Sequence, residues 1–244
     1  MIALPRVMGH RGAAAAAPEN TLAGLRAAAA LGTTWVEFDV MLTRDRVPVL
    51  FHDDNLKRIT GQNAWMAETT RAELDRLEAG AWFAPEFAGE PVPSLEAALF
   101  LALDLGLRPN LEIKPTPGRD EETAAAALEV VRRCWPGGRP APLITSFSRA
   151  SLAVAQRCAA ELPRGLNAWR LPRDWAAAAA ALGCATIHLR GDWLSAKAVA
   201  KVKAAGYPLA AFTVNKPARA RRLVSWGVDC IITDAPDVIA AALG

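Results

Sequence analysis

Residues 35–41 read Trp35-Val36-Glu37-Phe38-Asp39-Val40-Met41, a run of large apolar residues that contains two carboxylates. The alternation has the period of two that is typical of a β-strand, in which side chains two positions apart point to the same side, about 6.6 Å from each other. Glu37 and Asp39 therefore project together, and one divalent cation with ligand distances of about 2.0–2.6 Å fits between them. Because acids in an apolar strand are costly unless a positive group meets them, this strand predicts a binding site.

A regular alternation of strands and helices surrounds this run. Seven further extended runs are each followed by a helical pattern, and they begin near residues 7, 109, 143, 166, 186, 209 and 230. Repeated strand–helix units form a parallel sheet, and eight units in 244 residues predict a closed (β/α)8 TIM barrel, a single domain over residues 1–244. The alternative is an open doubly wound sheet, but no G-x-G-x-x-G motif opens a helix to support it.

Residues 55–93 interrupt the alternation. An extended run at residues 47–51 precedes them, and a helical pattern at residues 70–79 lies within them, with Thr70 as its cap and Glu73 at the capping-box position. Linkers are not rich in aromatic residues, whereas this segment is. We therefore interpret it as a small, mostly helical insertion after the second strand.

The composition limits the class of protein. The chain has 28 basic and 25 acidic residues, and its densest basic cluster (Arg219, Arg221 and Arg222) falls in a helical pattern, which predicts a solvated helix face and no nucleic-acid partner. The N-terminus lacks a signal-peptide pattern, and the Ala-rich runs are too short to span a bilayer. Cysteines without C-x-x-C spacing predict buried free thiols and a cytoplasmic protein; they are Cys134, Cys158, Cys184 and Cys230.

Polar residues mark the ends of several predicted strands. The set comprises three carboxylates, two histidines and two cations, in chain order His10, Arg11, Glu37, Asp39, His52, Glu112 and Lys114. In TIM barrels the chemistry lies at the C-terminal ends of the strands, and neighbouring strands are about 4.8 Å apart. We therefore expect these seven side chains to converge on one site, since strands with a purely structural role would carry Val, Ile or Leu there.

The residue types indicate the chemistry. Three carboxylates without cysteine suit a hard cation, Mg²⁺, Ca²⁺ or Mn²⁺, rather than structural zinc. Arg11 and Lys114 add positive charge, which favours a phosphate. His10 and His52, from different strands, fit an acid–base pair because their ordinary pKa lies near neutrality. The pattern predicts phosphoryl transfer on a phosphoester but does not identify the alcohols.

Two motifs also have purely structural interpretations. The alternative interpretation of His10 is a residue that caps a strand and takes no part in the chemistry. Pro18-Glu19-Asn20-Thr21 opens a helix, with Asn20 as the predicted N-cap and Gly32 as its end. For Glu19 and Asn20 we favour helix capping over a direct role in catalysis.

The combined motifs resemble the glycerophosphodiester phosphodiesterase family. The resemblance covers residues 7–237 and is carried by His10-Arg11-Gly12, Pro18-Glu19-Asn20-Thr21, Glu37-Phe38-Asp39, His52-Asp53, Glu112-Ile113-Lys114, Thr213-Val214-Asn215, Gly227-Val228-Asp229 and Ile232-Thr233-Asp234. It implies a TIM barrel with a small insertion after the second strand. It also implies hydrolysis of small-molecule glycerophosphodiesters, such as glycerophosphocholine or glycerophosphoethanolamine, to sn-glycerol 3-phosphate and an alcohol.

The resemblance further implies residue roles. Glu37, Asp39 and Glu112 would bind one divalent cation, His10 and His52 would be general acid and base, and Arg11 and Lys114 would hold the phosphate; the glycerol 2-hydroxyl would attack phosphorus to give a cyclic intermediate. One departure is Phe212, where the family often has Trp, since Phe keeps an apolar wall but lacks the indole N–H. Trp82, Phe83 and Phe87 of the insertion are candidates for a further apolar pocket wall.

Rival functions remain open at this point. The nearest is a phospholipase C-like or D-like relative that acts on lysophospholipids, which needs an apolar surface at the barrel mouth. A non-catalytic phosphate binder needs a missing histidine or carboxylate, and none is missing. A barrel aldolase would depend on Lys114 as its Schiff-base lysine. Either a monomer or a homodimer fits the sequence, and a dimer would use helices because the barrel mouth faces substrate.

Overall fold

Eight parallel strands close into a barrel in the computed structural model, which describes residues 2–244. These strands are β1 (Val7–Gly9), β2 (Trp35–Leu42), β4 (Arg108–Ile113), β5 (Leu143–Ser146), β6 (Arg164–Ala168), β7 (Cys184–Arg190), β8 (Leu209–Phe212) and β9 (Cys230–Thr233). The first strand pairs with both the second and the last, which closes the barrel. A short strand, β3 (Pro48–Leu50), pairs antiparallel with the last residues of β2, Val40 to Leu42. The predicted (β/α)8 TIM barrel is confirmed.

Eight helices alternate with the parallel strands. They are α1 (Leu22–Ala30), α4 (Leu95–Asp104), α5 (Asp120–Cys134), α6 (Arg149–Cys158), α7 (Trp175–Ala181), α8 (Ala196–Ala204), α9 (Pro217–Ser225) and α10 (Pro236–Leu243). Serine side chains cap three of them, including the predicted cap Ser94, whose hydroxyl accepts a hydrogen bond from the Ala97 N–H. Among residues 2–244, no helix combines the length and the apolar character that crossing a bilayer requires.

The predicted cap of α1 is wrong. Thr21 caps this helix, because its hydroxyl accepts from the Gly24 N–H at 3.0 Å. Asn20 has a φ of 55°, in the left-handed region, and its side chain binds β2 instead of the helix. Gly32, with a φ of 80°, follows the end of the helix as expected.

The insertion contains less helix than the sequence predicts. Its regular segments are α2 (Lys57–Thr60), α3 (Arg71–Leu74) and two 3₁₀ turns at Met66–Glu68 and Pro85–Phe87. The capping box of Thr70 and Glu73 is present, but the helix predicted to reach residue 79 ends at Leu74. A separate apolar cluster, which includes Met41, Leu56 and Met66, packs this segment against β2. Most of the insertion is therefore turn and coil that covers one side of the barrel.

The barrel interior is apolar at one end and polar at the other. Met8, Trp35 and Cys230 belong to an apolar cluster towards the N-terminal ends of the strands. Because side chains two apart share one face of a strand, Glu37 and Asp39 lie on the same inward face as Trp35, nearer the C-terminal end of β2. The polar end is therefore the C-terminal end, where the sequence predicts the site.

Two other expectations need correction. Cys134, Cys184 and Cys230 are buried free thiols, but Cys158, at the end of α6, is exposed. Arg219 is not on a solvated helix face, because its guanidinium donates hydrogen bonds to the backbone carbonyls of Gly191 and Leu194. Helical spacing does not distinguish a solvated arginine from one that reaches a neighbouring turn.

Candidate active site

Three carboxylates meet at the C-terminal ends of β2 and β4. Glu37 and Asp39 are alternate residues of β2, and Asp39 lies in register with Glu112 on the neighbouring strand. One oxygen from each of the three carboxylates lies within 4.8 Å of the other two. Glu37 and Asp39 are almost fully buried, with exposed fractions of 4% and 2%. Oxygen donors in this arrangement fit a single hard divalent cation.

The electrostatics of the cluster support that fit. Burial, with repulsion from Asp39 and Glu112, raises the pKa of Glu37 well above its ordinary value. Burial and the charge of Asp39 likewise raise the pKa of Glu112 to about 8. Burial also opposes ionisation of Asp39, but the nearby charges of Arg11, His52 and Lys114 prevail and lower its pKa. Three ionised carboxylates so close together are unfavourable, and a divalent cation among them would offset their repulsion.

Arg11 connects the first strand to this cluster. It follows β1 with a φ of 49°, and its backbone N–H donates to Oε2 of Glu37 at 3.0 Å. Its guanidinium Nε lies 3.2 Å from Oδ2 of Asp39, and its Nη1 donates to Oε1 of Glu19 at 2.7 Å. The guanidinium is thereby held at the cavity wall between two carboxylates, so its orientation is set before any ligand binds.

Asn20 orients Asp39 with a pair of hydrogen bonds. Its Nδ2 donates to Oδ2 of Asp39 at 3.0 Å, and its Oδ1 accepts from the Asp39 backbone N–H at 3.1 Å. Glu19 likewise binds arginine side chains and not the helix terminus. The helix-capping interpretation of Glu19 and Asn20 is therefore wrong, and both residues support the acidic cluster.

His10 is held by a carboxylate from the last strand–helix turn. Its Nδ1 lies 2.6 Å from Oδ1 of Asp234, and Asn215 donates to the other oxygen of that carboxylate. A carboxylate at Nδ1 favours the tautomer with the proton on Nδ1, which leaves Nε2 free to accept a proton. That Nε2 faces the cavity, 3.4 Å from Oγ1 of Thr213 and 3.9 Å from Oε2 of Glu37.

His52 has an equivalent partner from its own loop. Its Nδ1 lies 2.7 Å from Oδ1 of Asp53. Arg58, in α2 of the insertion, donates to both oxygens of Asp53 and to both oxygens of Glu19, at 2.6–3.1 Å. Burial opposes ionisation of Asp53, but the hydrogen bonds from His52 and Arg58 prevail and hold its pKa well below the ordinary value. Arg58 thus connects the residue that orients His52 to the residue that orients Arg11.

These groups surround a cavity of about 220 Å³ at the C-terminal end of the barrel. Its charged side is formed by six of the seven residues that the sequence predicts, namely His10, Arg11, Asp39, His52, Glu112 and Lys114, while Glu37 lies buried beside them. The rest of the lining lies at the ends of β5 to β8 and consists of Phe147, Trp169, Arg190, Asp192 and Phe212, with Thr213 beside His10. The structure therefore brings the predicted set together in one place.

The apolar wall differs from the one that the sequence predicts. Phe212 lines the cavity as expected, but Trp82 and Phe83 of the insertion do not. Trp82 lies instead beside Arg58, whose guanidinium carbon is 5.8 Å from its ring centre. Phe147 and Trp169, which follow β5 and β6, form the wall with Phe212.

Sequence reasoning did not identify several supporting residues. Asp53 and Asp234 hold the two histidines, and the His52-Asp53 and Thr233-Asp234 motifs contain a signal for both, since a histidine that transfers protons at one ring nitrogen is often held by an acceptor at the other. Asn167 on β6 donates to Oε2 of Glu112 at 2.9 Å, and Arg58 bridges two carboxylates. No local sequence pattern indicates those two contacts.

Comparison with known proteins agrees with this geometry. The family model described as the glycerophosphoryl diester phosphodiesterase family matches residues 10–238. A glycerophosphodiester phosphodiesterase of Caldanaerobacter subterraneus is 31% identical over 96% of this chain and 95% of its own length. The solved structure of an Oleispira antarctica phosphodiesterase in complex with its product sn-glycerol-3-phosphate is 40% identical, with a TM-score of 0.95, and the match covers 98% of this chain and 97% of that one.

Proposed function

Because the chain belongs to the glycerophosphoryl diester phosphodiesterase family, we propose that it hydrolyses glycerophosphodiesters to sn-glycerol 3-phosphate and an alcohol, using one divalent cation and two histidines. A single observation carries this proposal: the three-carboxylate cluster and the two carboxylate-held histidines, His10 and His52, border the same cavity. A phosphodiester bound there would have a cation site on one side and two proton-transfer groups within reach.

The residues that would hold the cation are Glu37, Asp39 and Glu112. Their oxygen-only donor set suits Mg²⁺, Ca²⁺ or Mn²⁺. When bound, such a cation supplies Lewis acidity that neutralises charge on the phosphate and on the attacking oxygen. Asn20 and Asn167 would position two of these ligands, since each donates a hydrogen bond to a carboxylate oxygen of the cluster.

Arg11 and Lys114 would bind the phosphate oxygens. Arg11 is oriented by Glu19 and Asp39, whereas the Lys114 ammonium group has no ion-pair or hydrogen-bond partner among residues 2–244. An unpaired ammonium that lines the cavity is available to a phosphate oxygen. The two cations would thereby fix the phosphorus between the two histidines.

The histidines would transfer the protons in two steps. In the first, one histidine Nε2 takes the proton of the glycerol 2-hydroxyl, whose oxygen bonds to phosphorus, while the other histidine protonates the departing alcohol as the P–O bond breaks. In the second, a water oxygen bonds to phosphorus and the bond from phosphorus to the glycerol 2-oxygen breaks. The histidine that had protonated the alcohol now takes a proton from this water, and the other returns its proton to the 2-oxygen. Asp53 and Asp234 would keep Nε2 of each ring directed at the substrate, since they bind the opposite nitrogens.

The test is release of glycerol 3-phosphate by chelator-stripped protein, with Mg²⁺, Ca²⁺ or Mn²⁺ restored separately. The substrates are glycerophosphocholine, glycerophosphoethanolamine and glycerophosphoglycerol, and the controls are His10→Asn and His52→Asn. We expect cation-dependent release and a loss of at least about 100-fold in kcat for each variant. A diester that lacks the 2-hydroxyl should not be cleaved, and its turnover would refute attack by that hydroxyl.

The strongest rival is a phospholipase C-like or D-like activity on lysophospholipids. Trp169 and Trp193, at the rim of the barrel mouth, are each about half exposed, and such a surface would suit an acyl chain. If the folded protein releases no glycerol 3-phosphate with any of the three cations but cleaves a lysophospholipid, the rival is correct. Cleavage of the water-soluble diesters alone supports the proposed function.

A further inference from the structure

We propose that the side of the cavity opposite the acidic cluster binds the departing alcohol, and that this alcohol is a polyol rather than a cationic amino alcohol. The inference rests on the proposed function and deepens it by naming the substrate class. Here the polyol wall means five residues at the ends of β5 to β8, namely Phe147, Trp169, Arg190, Asp192 and Phe212. Polyols such as glycerol, inositol or a sugar carry adjacent hydroxyls on a C–H framework, and the wall matches both features.

The cavity has the proposed catalytic groups on one side and the polyol wall on the other. The acidic cluster and both histidines lie at the ends of β1 and β2, at β4 and on the loop after β3. The glycerol 2-hydroxyl and the departing ester oxygen must both remain on that side, because each has to reach a histidine Nε2. Only the rest of the departing alcohol is free to extend across the cavity, and there it meets the polyol wall.

The aromatic part of the wall offers a flat face. The Trp169 ring lies 4.9 Å from the Phe147 ring and 6.1 Å from the Phe212 ring, measured between centres, yet the residue remains 53% exposed. A large exposed aromatic residue held by two others at a cavity mouth is suited to ligand contact. The part of the indole that Phe147 and Arg190 leave exposed can pack against the C–H groups of a polyhydroxy compound.

A cation already lies over that aromatic surface. The guanidinium carbon of Arg190 is 5.4 Å from the centre of the Trp169 ring and 4.5 Å from that of Trp193. The cation–π attraction that would draw a choline or ethanolamine nitrogen is therefore already satisfied within the protein by this guanidinium. This occupancy argues against a cationic amino alcohol.

Arg190 and Asp192 present a donor and an acceptor side by side. Nη2 of Arg190 lies 3.4 Å from Oδ2 of Asp192, and within residues 2–244 neither side chain makes another hydrogen bond. A guanidinium has five N–H donors and a carboxylate accepts several hydrogen bonds, so most of this capacity is available to a ligand. Adjacent hydroxyls, each of which both donates and accepts, suit such a pair.

The turn that carries the pair is firmly held. Arg219 on α9 donates to the carbonyls of Gly191 and Leu194, at 3.0 and 2.6 Å. A side chain at Gly191 would collide with Val214, because its Cβ would lie 2.3 Å from a methyl carbon of that residue. The wall is thus formed before ligand binding, which lowers the entropic cost of recognition.

The experiment compares kcat/KM for glycerophosphoglycerol and glycerophosphoinositol with that for glycerophosphocholine. The variants are Arg190→Gln and Asp192→Asn. The matched control is Arg170→Gln, whose guanidinium also lies over Trp193, at 5.0 Å, but which does not line the cavity. We expect the wild type to prefer both polyol diesters by about 10-fold or more, since a site built for hydroxyls rejects substrates that lack them.

Each variant of the pair should reduce that preference by about 10-fold, mainly through KM for the polyol diesters, while Arg170→Gln leaves it unchanged. Equal or better turnover of glycerophosphocholine by the wild type would overturn the inference and leave the proposed function intact. If Arg190→Gln and Asp192→Asn lower kcat/KM equally for all three diesters, the inference is likewise overturned and the proposed function remains intact. If the folded wild type cleaves none of them, the proposed function itself fails, and the inference fails with it.

Discussion

The side chain of Asn20 binds Asp39 at two points, the carboxylate Oδ2 and the backbone N–H, at 3.0 and 3.1 Å. The two residues are almost fully buried, so neither hydrogen bond is exchanged with water. A residue that looks like a helix cap in the sequence therefore determines the position of a candidate cation ligand.

Asn20→Ala should weaken cation binding by about 10–100-fold, because Asp39 would lose the group that orients it. The variant should also unfold more easily, by about 1–3 kcal/mol, since the Asp39 N–H is left buried without a partner. Titration calorimetry with Mn²⁺ and denaturant unfolding measure the two effects. The control is Thr21→Ala, which removes the actual cap of α1 and should lower stability by about 1 kcal/mol without changing cation affinity. Equal cation affinity in both variants would contradict the assigned role of Asn20.

Arg58→Ala should lower kcat by about 10–100-fold while the fold is retained. Without the guanidinium, Asp53 and Glu19 repel each other and release the residues that they orient, His52 and Arg11. Arg58→Lys should recover only part of the activity, because an ammonium cannot make the paired hydrogen bonds of a guanidinium. Steady-state kinetics test this, with Lys57→Ala in the same helix as the control. Full activity of Arg58→Ala would show that the insertion does not support the site.

Glu112→Gln should raise the melting temperature of metal-free protein at pH 9 by a few degrees. At that pH the carboxyl, whose pKa is raised to about 8, is ionised next to Asp39, and the amide removes the repulsion. The same substitution should abolish the stabilisation that added Mg²⁺, Ca²⁺ or Mn²⁺ confers on the wild type, because one ligand is lost. Thermal scans with and without each cation measure both effects. Equal cation-induced shifts in the two proteins would exclude Glu112 as a ligand.

His188 should make the protein acid-sensitive. It is fully buried inside the barrel next to Thr186, and burial lowers its pKa from 6.5 to about 3. Between those values the unfolded chain binds a proton that the folded protein does not, so stability falls as pH decreases, by about 1.4 kcal/mol per pH unit. From pH 6.5 to pH 5 the loss is about 1.6 kcal/mol, because the unfolded histidine is only half protonated at pH 6.5. In denaturant unfolding of His188→Gln, the free energy of unfolding should fall less between pH 6.5 and pH 5 than in the wild type, and the difference should equal this loss. An equal fall in both proteins would refute the role of His188 in acid sensitivity.

The sequence alone determined the architecture and the chemical character of the site. Eight strand–helix units predict the barrel, and in a barrel the strand ends converge, so His10, Glu37 and Glu112 had to lie close together once their strands were identified. Periodicity and residue type are local properties, and they were sufficient for these conclusions. The candidate cation ligands and the two candidate acid–base histidines follow from them.

Tertiary structure alone decided how those groups are held and what faces them. Asp234 binds His10 across 224 positions of the chain, and Asn167 binds Glu112 across 55. The apolar wall comes from Phe147 and Trp169 instead of the insertion, because strand order and not sequence proximity places side chains around the cavity. Such contacts depend on the closure of the barrel, which brings turns that are distant in the chain to one end. A local sequence pattern does not predict contacts between residues so far apart in the chain.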